Sequence, residues 1–358
     1  MFMRKRKPKN PARRLRKRLF RPLLLAFITF ECASNWYVHQ PAERREAIAR
    51  RLPDALVVCV NTAGNAFAEY TDNLGVTGRD VSVATPENYG GAPAGFHFLG
   101  MPPHLTTNAA APAALVPLLK TGFITAYSPD DKHPYWVAYK VEPVASLATP
   151  PRPTRFTSDP LVKSPVHDAY TNSGYDRGHM APNFAIASRY GAEAQKETFL
   201  TSNICPQRPD LNQGAWRDVE HRIASIYGQQ YPVWVIIGAL PPASPDDRFE
   251  KSGVTIPAGF YHIIMSHREG RLRVCAMLFP QDTPRHAYPR AHLVSVREIE
   301  TLTGLEFFPD MPAGEREQLI LPTPTRLWPA GFAGTFKIFQ TRTEQRALSK
   351  TRPPKTNK

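Results

Sequence analysis

The chain has 358 residues, enough for one large domain or two medium ones with a sizeable core. A hydrophobic content of 42% and a charged content of 21% are those of a soluble globular protein, and 37 prolines argue against an architecture of long helices. The net charge of +14 does not mark a nucleic-acid groove. Eleven Lys and Arg stand in residues 1–21 and six more in 341–358, against Glu344 alone, which leaves the body of the chain near −2.

The basic run from Arg4 to Arg21 is followed by nine uncharged residues, Pro22 to Phe30, before Glu31. Nine helical residues reach roughly 14 Å, under half of a roughly 30 Å hydrocarbon core. Residues 1–33 therefore read as a secretory signal peptide or an anchor, which makes the protein exported, periplasmic or membrane-anchored. Glu31-Cys32-Ala33 puts a charge where cleavage prefers a small residue, and an Arg-rich, acid-poor leader of mitochondrial type is the alternative. Cys32, Cys59, Cys205 and Cys275 show no metal-ligand spacing, and their pairing is left open.

Residues 34–110 read as a partly irregular N-terminal arm, with a helical stretch around Ala42–Arg51 and an apolar run at 55–60. The main domain spans 111–335. Gly122–Tyr127 and Trp136–Val141 predict a hairpin with a longer loop, and Val233–Gly238 predicts a central strand from its continuous apolar run. Tyr261–Ser266 and Arg271–Phe279 predict a second hairpin around Arg268-Glu269-Gly270, and Ser295–Thr303 a short helix. The fold class is α+β with a mostly antiparallel sheet. Residues 336–358 read as a basic, disordered tail.

Two stretches carry chemistry. The first, Gly174-Tyr175-Asp176-Arg177-Gly178-His179-Met180-Ala181-Pro182-Asn183, sets a histidine beside a guanidinium. Phosphodiester hydrolysis needs a base to deprotonate water and cations to steady the phosphorane. Neutral histidine suits the first task, and the planar fork of arginine suits the second. The second stretch runs from Thr201 to Glu220 and contains Ser202-Asn203-Ile204, Pro206-Gln207 and Leu211-Asn212-Gln213-Gly214-Ala215-Trp216. Asp210 and Gln213 predict a capping box opening a helix, with Trp216, Val219, Ile223 and Ile226 as its buried stripe. At about 100° per residue, Asn212 falls within that stripe's sector and Glu220 lies about 80° around the axis, so both can face one metal ion. By residue type alone, His179 also admits a structural role, Asn212 a capping role and Glu220 a solvated one.

Together these motifs resemble the DNA/RNA non-specific endonuclease family of the ββα-metal superfamily, the endonuclease G-like group. The resemblance runs from about Gly122 to Pro309 and includes Thr198-Phe199, Ile299 to Leu305 and Phe307-Phe308-Pro309. It implies a central antiparallel sheet flanked by helices, with a ββα-metal finger. It further implies that His179 activates the attacking water and that Asn212 is the direct protein ligand of one Mg²⁺, for which Mn²⁺ can substitute. Glu220 would fix the ion's water shell, Arg177 would contact phosphate or the transition state, and Asn203 would support the site from behind. The implied substrate is DNA, RNA or both, cut to 5′-phosphate and 3′-hydroxyl ends. The partners considered with it are a homodimer mate, a protein inhibitor and a membrane reached through the N-terminal segment. A phosphodiesterase acting on small nucleotides and a membrane-tethered nucleic-acid-binding adaptor are the competing readings.

Overall fold

The computed structural model describes residues 80–84, 104–105 and 114–330, together with Arg44, Ile48 and Arg51. The chain divides into two units, Met1–Thr71 and Asp72–Lys358. In the first unit Arg44 and Ile48 are helical, within the stretch where a helix is predicted, and the Arg51 N–H donates to the Ile48 carbonyl. The leader, Cys32, Cys59, the apolar run at 55–60 and the basic tail lie outside the described residues. Among the described residues no helix is long and apolar enough to cross a membrane.

The second unit is built on an antiparallel sheet of eight strands. They are β1 (Val81–Ala84), β3 (Val116–Leu119), β4 (Ile124–Ser128), β5 (His133–Val141), β8 (Val233–Ala239), β9 (Gly259–Arg268), β10 (Arg271–Pro280) and β11 (Leu293–Val294). The order is β1-β10-β9-β8-β5-β4-β3, with β11 also paired to β10. β2 (His104–Leu105) pairs with β12 (Leu305–Glu306) in a small separate ladder. Thus two strands from 34–110 are hydrogen-bonded into the main domain.

Both hairpins form where the sequence predicts them. The turn between β9 and β10 places Glu269 at φ 53° and Gly270 at φ 66°, the left-handed pair that a two-residue hairpin loop requires. β8 lies between β5 and β9 and is buried along its whole length. Its unbroken apolar run follows from having both faces covered. Val233, Val235 and Ile237 belong to one core with Trp216 and Ile186, while Trp234 and Ile236 belong to the other with Ile299 and Phe307.

Helices α1 (Asn183–Thr198, kinked at Gly191) and α2 (Ala215–Arg222) supply the first of these layers. α3 (Val296–Thr303) and α4 (Ala313–Ile320) supply the second. α3 forms where the sequence predicts a short helix, and Ser295 caps it by accepting the Glu298 N–H. Trp216, Val219, Ile223 and Ile226 are all buried, and the helical path continues past α2 through a π-helical turn at Ile223–Tyr227.

The capping box does not form. Arg208 stands at the N-cap of a single turn, Pro209–Asn212, with no side-chain cap; Asp210 instead pairs with Arg285 Nε at 3.0 Å. Gln213 donates to Asp176 rather than reaching back along the helix. Gly214, at φ −113° and ψ −118°, separates this turn from α2. Asn212 is therefore not carried by the α2 periodicity, and the bend at Gln213–Gly214 re-aims it.

Candidate active site

A two-stranded ribbon of β6 (Asp176–His179) and β7 (Ile204–Gln207) carries both motifs. Its register pairs Asp176 with Gln207, Gly178 with Cys205 and His179 with Ile204. The ribbon packs close because residue 178 has no side chain. A Cβ there would lie 2.2 Å from Gln207 Oε1 and 2.5 Å from its Cγ, and Gln207 is fully buried. Strand alternation puts Arg177 and His179 on one face of β6. Both line a cleft of about 570 Å³ together with Asn212, Glu220, Arg152 and Arg217. The cleft thus gathers four residues predicted from sequence with two that were not.

His179 is sandwiched by Phe156 and Phe199, with ring centroids at 5.3 Å and 5.0 Å. Its Nε2 is shut off from solvent and has no hydrogen-bond partner among the described residues. Burial of the ring, with Arg152 adding positive charge nearby, pushes its pKa down to about 3. The imidazole is therefore neutral near pH 7, with a ring nitrogen available to accept a proton.

Asn203 does not face the cleft, and it is fully buried. Its Oδ1 accepts the Ala181 N–H at 2.8 Å, and its Nδ2 donates to the carbonyls of Ala181 (3.1 Å) and Thr198 (3.0 Å). It therefore ties the chain just after His179 to the C-terminal end of α1. Losing its side chain would strand buried backbone groups at roughly 1–3 kcal/mol each.

Asn212 donates Nδ2–H to Asp176 Oδ2 at 2.9 Å, and Gln213 Nε2 donates to the same oxygen at 2.7 Å. This fixes which end of the Asn212 amide is committed and leaves Oδ1 with no partner among the described residues. Glu220 stands in the same cleft, and its burial raises the pKa to about 8 against the opposing pull of Trp216, Arg217 and Arg152. A carboxyl held that high favours an incoming cation, which would restore the charged form.

Arg177 departs from the simple fork. Its Nε and Nη2 donate to the His167 carbonyl at 3.2 Å and 2.8 Å, and Nη2 also donates to Thr171 Oγ1 at 2.8 Å. The guanidinium is thus held by the protein, and Nη1 is the nitrogen left for a ligand. Arg152, in the proline-rich loop before Phe156, lies over the Phe199 ring at 5.3 Å. No spacing rule in the sequence singles it out, because that loop has no period.

Among the described residues no group of three or more His, Cys, Asp or Glu could cage a metal. One amide oxygen and one carboxyl fit a hard cation that keeps most of its water, as Mg²⁺ does, and not a zinc centre. Cys205 and Cys275 are buried and neither lines this cleft, which removes them as ligands there.

A two-stranded ribbon followed by a helical segment thus brings His179, Asn212 and Glu220 to one cleft, beside an antiparallel sheet. The DNA/RNA non-specific endonuclease family model matches residues 102–314, more than half of the chain, and the protein belongs to that family. It is 30% identical over 204 residues to "Nuclease EXOG, mitochondrial" of Xenopus laevis, covering 52% of this chain and 56% of that protein. It is 29% identical to "Endonuclease G, mitochondrial" of Bos taurus, covering 54% and 69%, and 29% identical to a nuclease of Nostoc sp., covering 56% and 77%. The chain thus spans just over half the length of the frog protein. A solved structure of the EndoG/EndoGI complex matches at 24% identity with a TM-score of 0.50, covering 58% of this chain and 90% of that one, which shows the shared fold.

Proposed function

We propose that the protein is a metal-dependent, sugar-non-specific endonuclease that hydrolyses phosphodiester bonds in DNA, RNA or both, with 111–335 as its nuclease domain. One observation carries the reading: His179, with a neutral imidazole, lines the same cleft as Asn212 and Glu220.

Asn212 Oδ1 would hold a divalent cation, Mg²⁺ or Mn²⁺, with Glu220 on its water shell. Such a cation, when bound, supplies positive charge to the phosphate and leaving oxygens. His179 acts as general base, taking the proton of the attacking water onto a ring nitrogen. Arg177 Nη1 and the Arg152 guanidinium offer donors to phosphate oxygens, in a cleft where water is partly excluded and each contact counts for more. Asn203 and Asp176 act by positioning.

Incubating supercoiled plasmid with the purified protein in Mg²⁺ or in EDTA tests this directly. Internal nicking that needs Mg²⁺ and is lost in Asn212→Ala supports it. Turnover of small chromogenic diesters with intact plasmid would instead support the small-nucleotide phosphodiesterase, and binding without cleavage the adaptor.

A cell that makes such an enzyme needs protection, by export or by a protein inhibitor. The basic leader and its short apolar stretch support export or anchoring, whereas the mitochondrial names of the EXOG and endonuclease G relatives suit the organellar alternative. Harmless expression of an active, leaderless form in the cytoplasm would contradict the need for protection.

A further inference from the structure

At the rim of the cleft the first turn of α1 presents Phe184, which is 40% exposed. Among the described residues it is the one Phe, Tyr or Trp classed as exposed. The ring does not complete either of the large hydrophobic cores, and leaving it in water forfeits burial that a phenylalanine normally gains. In the same cleft α2 presents Arg217, which is exposed and carries no ion pair or hydrogen bond among the described residues. Its positive charge acts on Glu220, three residues further along the helix. Neither side chain is used by the chemistry proposed above.

An open aromatic face and an uncommitted guanidinium, on two helices bordering one cleft, are the elements of a nucleotide-binding surface. Every nucleobase has a π-face that stacks on such a ring whatever its sequence, and guanidinium takes the phosphate. A base inside a duplex is already stacked on its neighbours and cannot lie on the ring without leaving the helix, at a cost of a few kcal/mol.

We propose that Phe184 and Arg217 form a subsite for a nucleotide flanking the scissile phosphate. Phe184 stacks on its unpaired base, Arg217 holds its phosphate, and the enzyme thereby favours strands with free bases over duplex. This rests on the nuclease reading and adds a substrate preference to it.

The test measures kcat/KM for a labelled single-stranded oligodeoxynucleotide and for the same sequence as duplex, in Mg²⁺, with wild type, Phe184→Ala, Phe184→Trp and Arg217→Gln. The ratio of single-strand to duplex kcat/KM is expected to fall roughly tenfold or more in Phe184→Ala, carried by KM, and to be kept in Phe184→Trp. Arg217→Gln is expected to lower the salt dependence of single-strand KM by about 0.7 in the log–log slope, the value of one phosphate contact. A wild type that cuts both strands, with a ratio that Phe184→Ala does not move, overturns the subsite alone. A wild type that cuts neither overturns the nuclease reading beneath it.

Discussion

Asp176 and Asn212, 36 residues apart in the chain, meet where Asp176 Oδ2 accepts the Asn212 amide N–H at 2.9 Å. An amide carries donors at one end and an acceptor at the other, so this bond dictates which end is left for a cation. On the proposed reading, Asp176 orients the Asn212 amide so that its oxygen is the end offered to the cation. Asp176→Ala should weaken Mn²⁺ binding, measured by calorimetric titration, by about 10–100-fold. Unchanged affinity would show that Asn212 needs no orienting partner.

On the proposed reading of His179 as the base, the pH dependence of activity follows from its burial. A general base must be unprotonated, so activity is lost as pH falls through its pKa. Because that pKa is pushed from 6.5 to about 3, the acid limb of kcat/KM for the free enzyme should lie well below 6.5. A rate profile at saturating Mg²⁺ checks this, and an acid limb centred at 6.5 would mean that the ring is not desolvated in solution.

Glu220 gives a stability signature of the opposite sense. Its folded pKa, about 8, lies above the ordinary 4.5, so between those values the folded protein holds a proton that the unfolded chain has released. Its contribution is fully present below 4.5 and is lost as pH rises through 8. In thermal melts of metal-free protein, Glu220→Gln should gain on wild type as pH climbs from about 5 to about 9. Parallel melting curves would place the carboxyl in water.

Gly178→Ala drives a methyl group into the buried Gln207 side chain. It should destabilise the fold by about 1–3 kcal/mol, read from urea unfolding. Adding Gln207→Ala, which clears the contact, should recover most of the loss. A Gly178→Ala protein as stable as wild type would mean that the ribbon can open without cost.

Period and punctuation made the sheet legible in the sequence. Val233–Gly238 reads as a buried strand and Glu269-Gly270 as a hairpin turn because each depends on local chemistry alone. The Trp216–Ile226 stripe is legible for the same reason. The motif residues His179, Arg177, Asn212 and Glu220 are brought to one cleft, whereas Asn203 lies behind it. The supposed capping box fails because Asp210 and Gln213 find tertiary partners, Arg285 and Asp176, that no window of sequence contains. Arg152 and Phe184 escape for a related reason, since one comes from an aperiodic loop and the other from the first turn of a helix. Only the folded cleft puts them together.

The central claim is that His179 is the base, and the most direct measurement is single-turnover cleavage of a labelled oligonucleotide by His179→Ala beside wild type. The variant should fold, bind Mn²⁺ like wild type, and cut about 10²–10⁴-fold more slowly. Cleavage by His179→Ala at the wild-type rate would contradict the account.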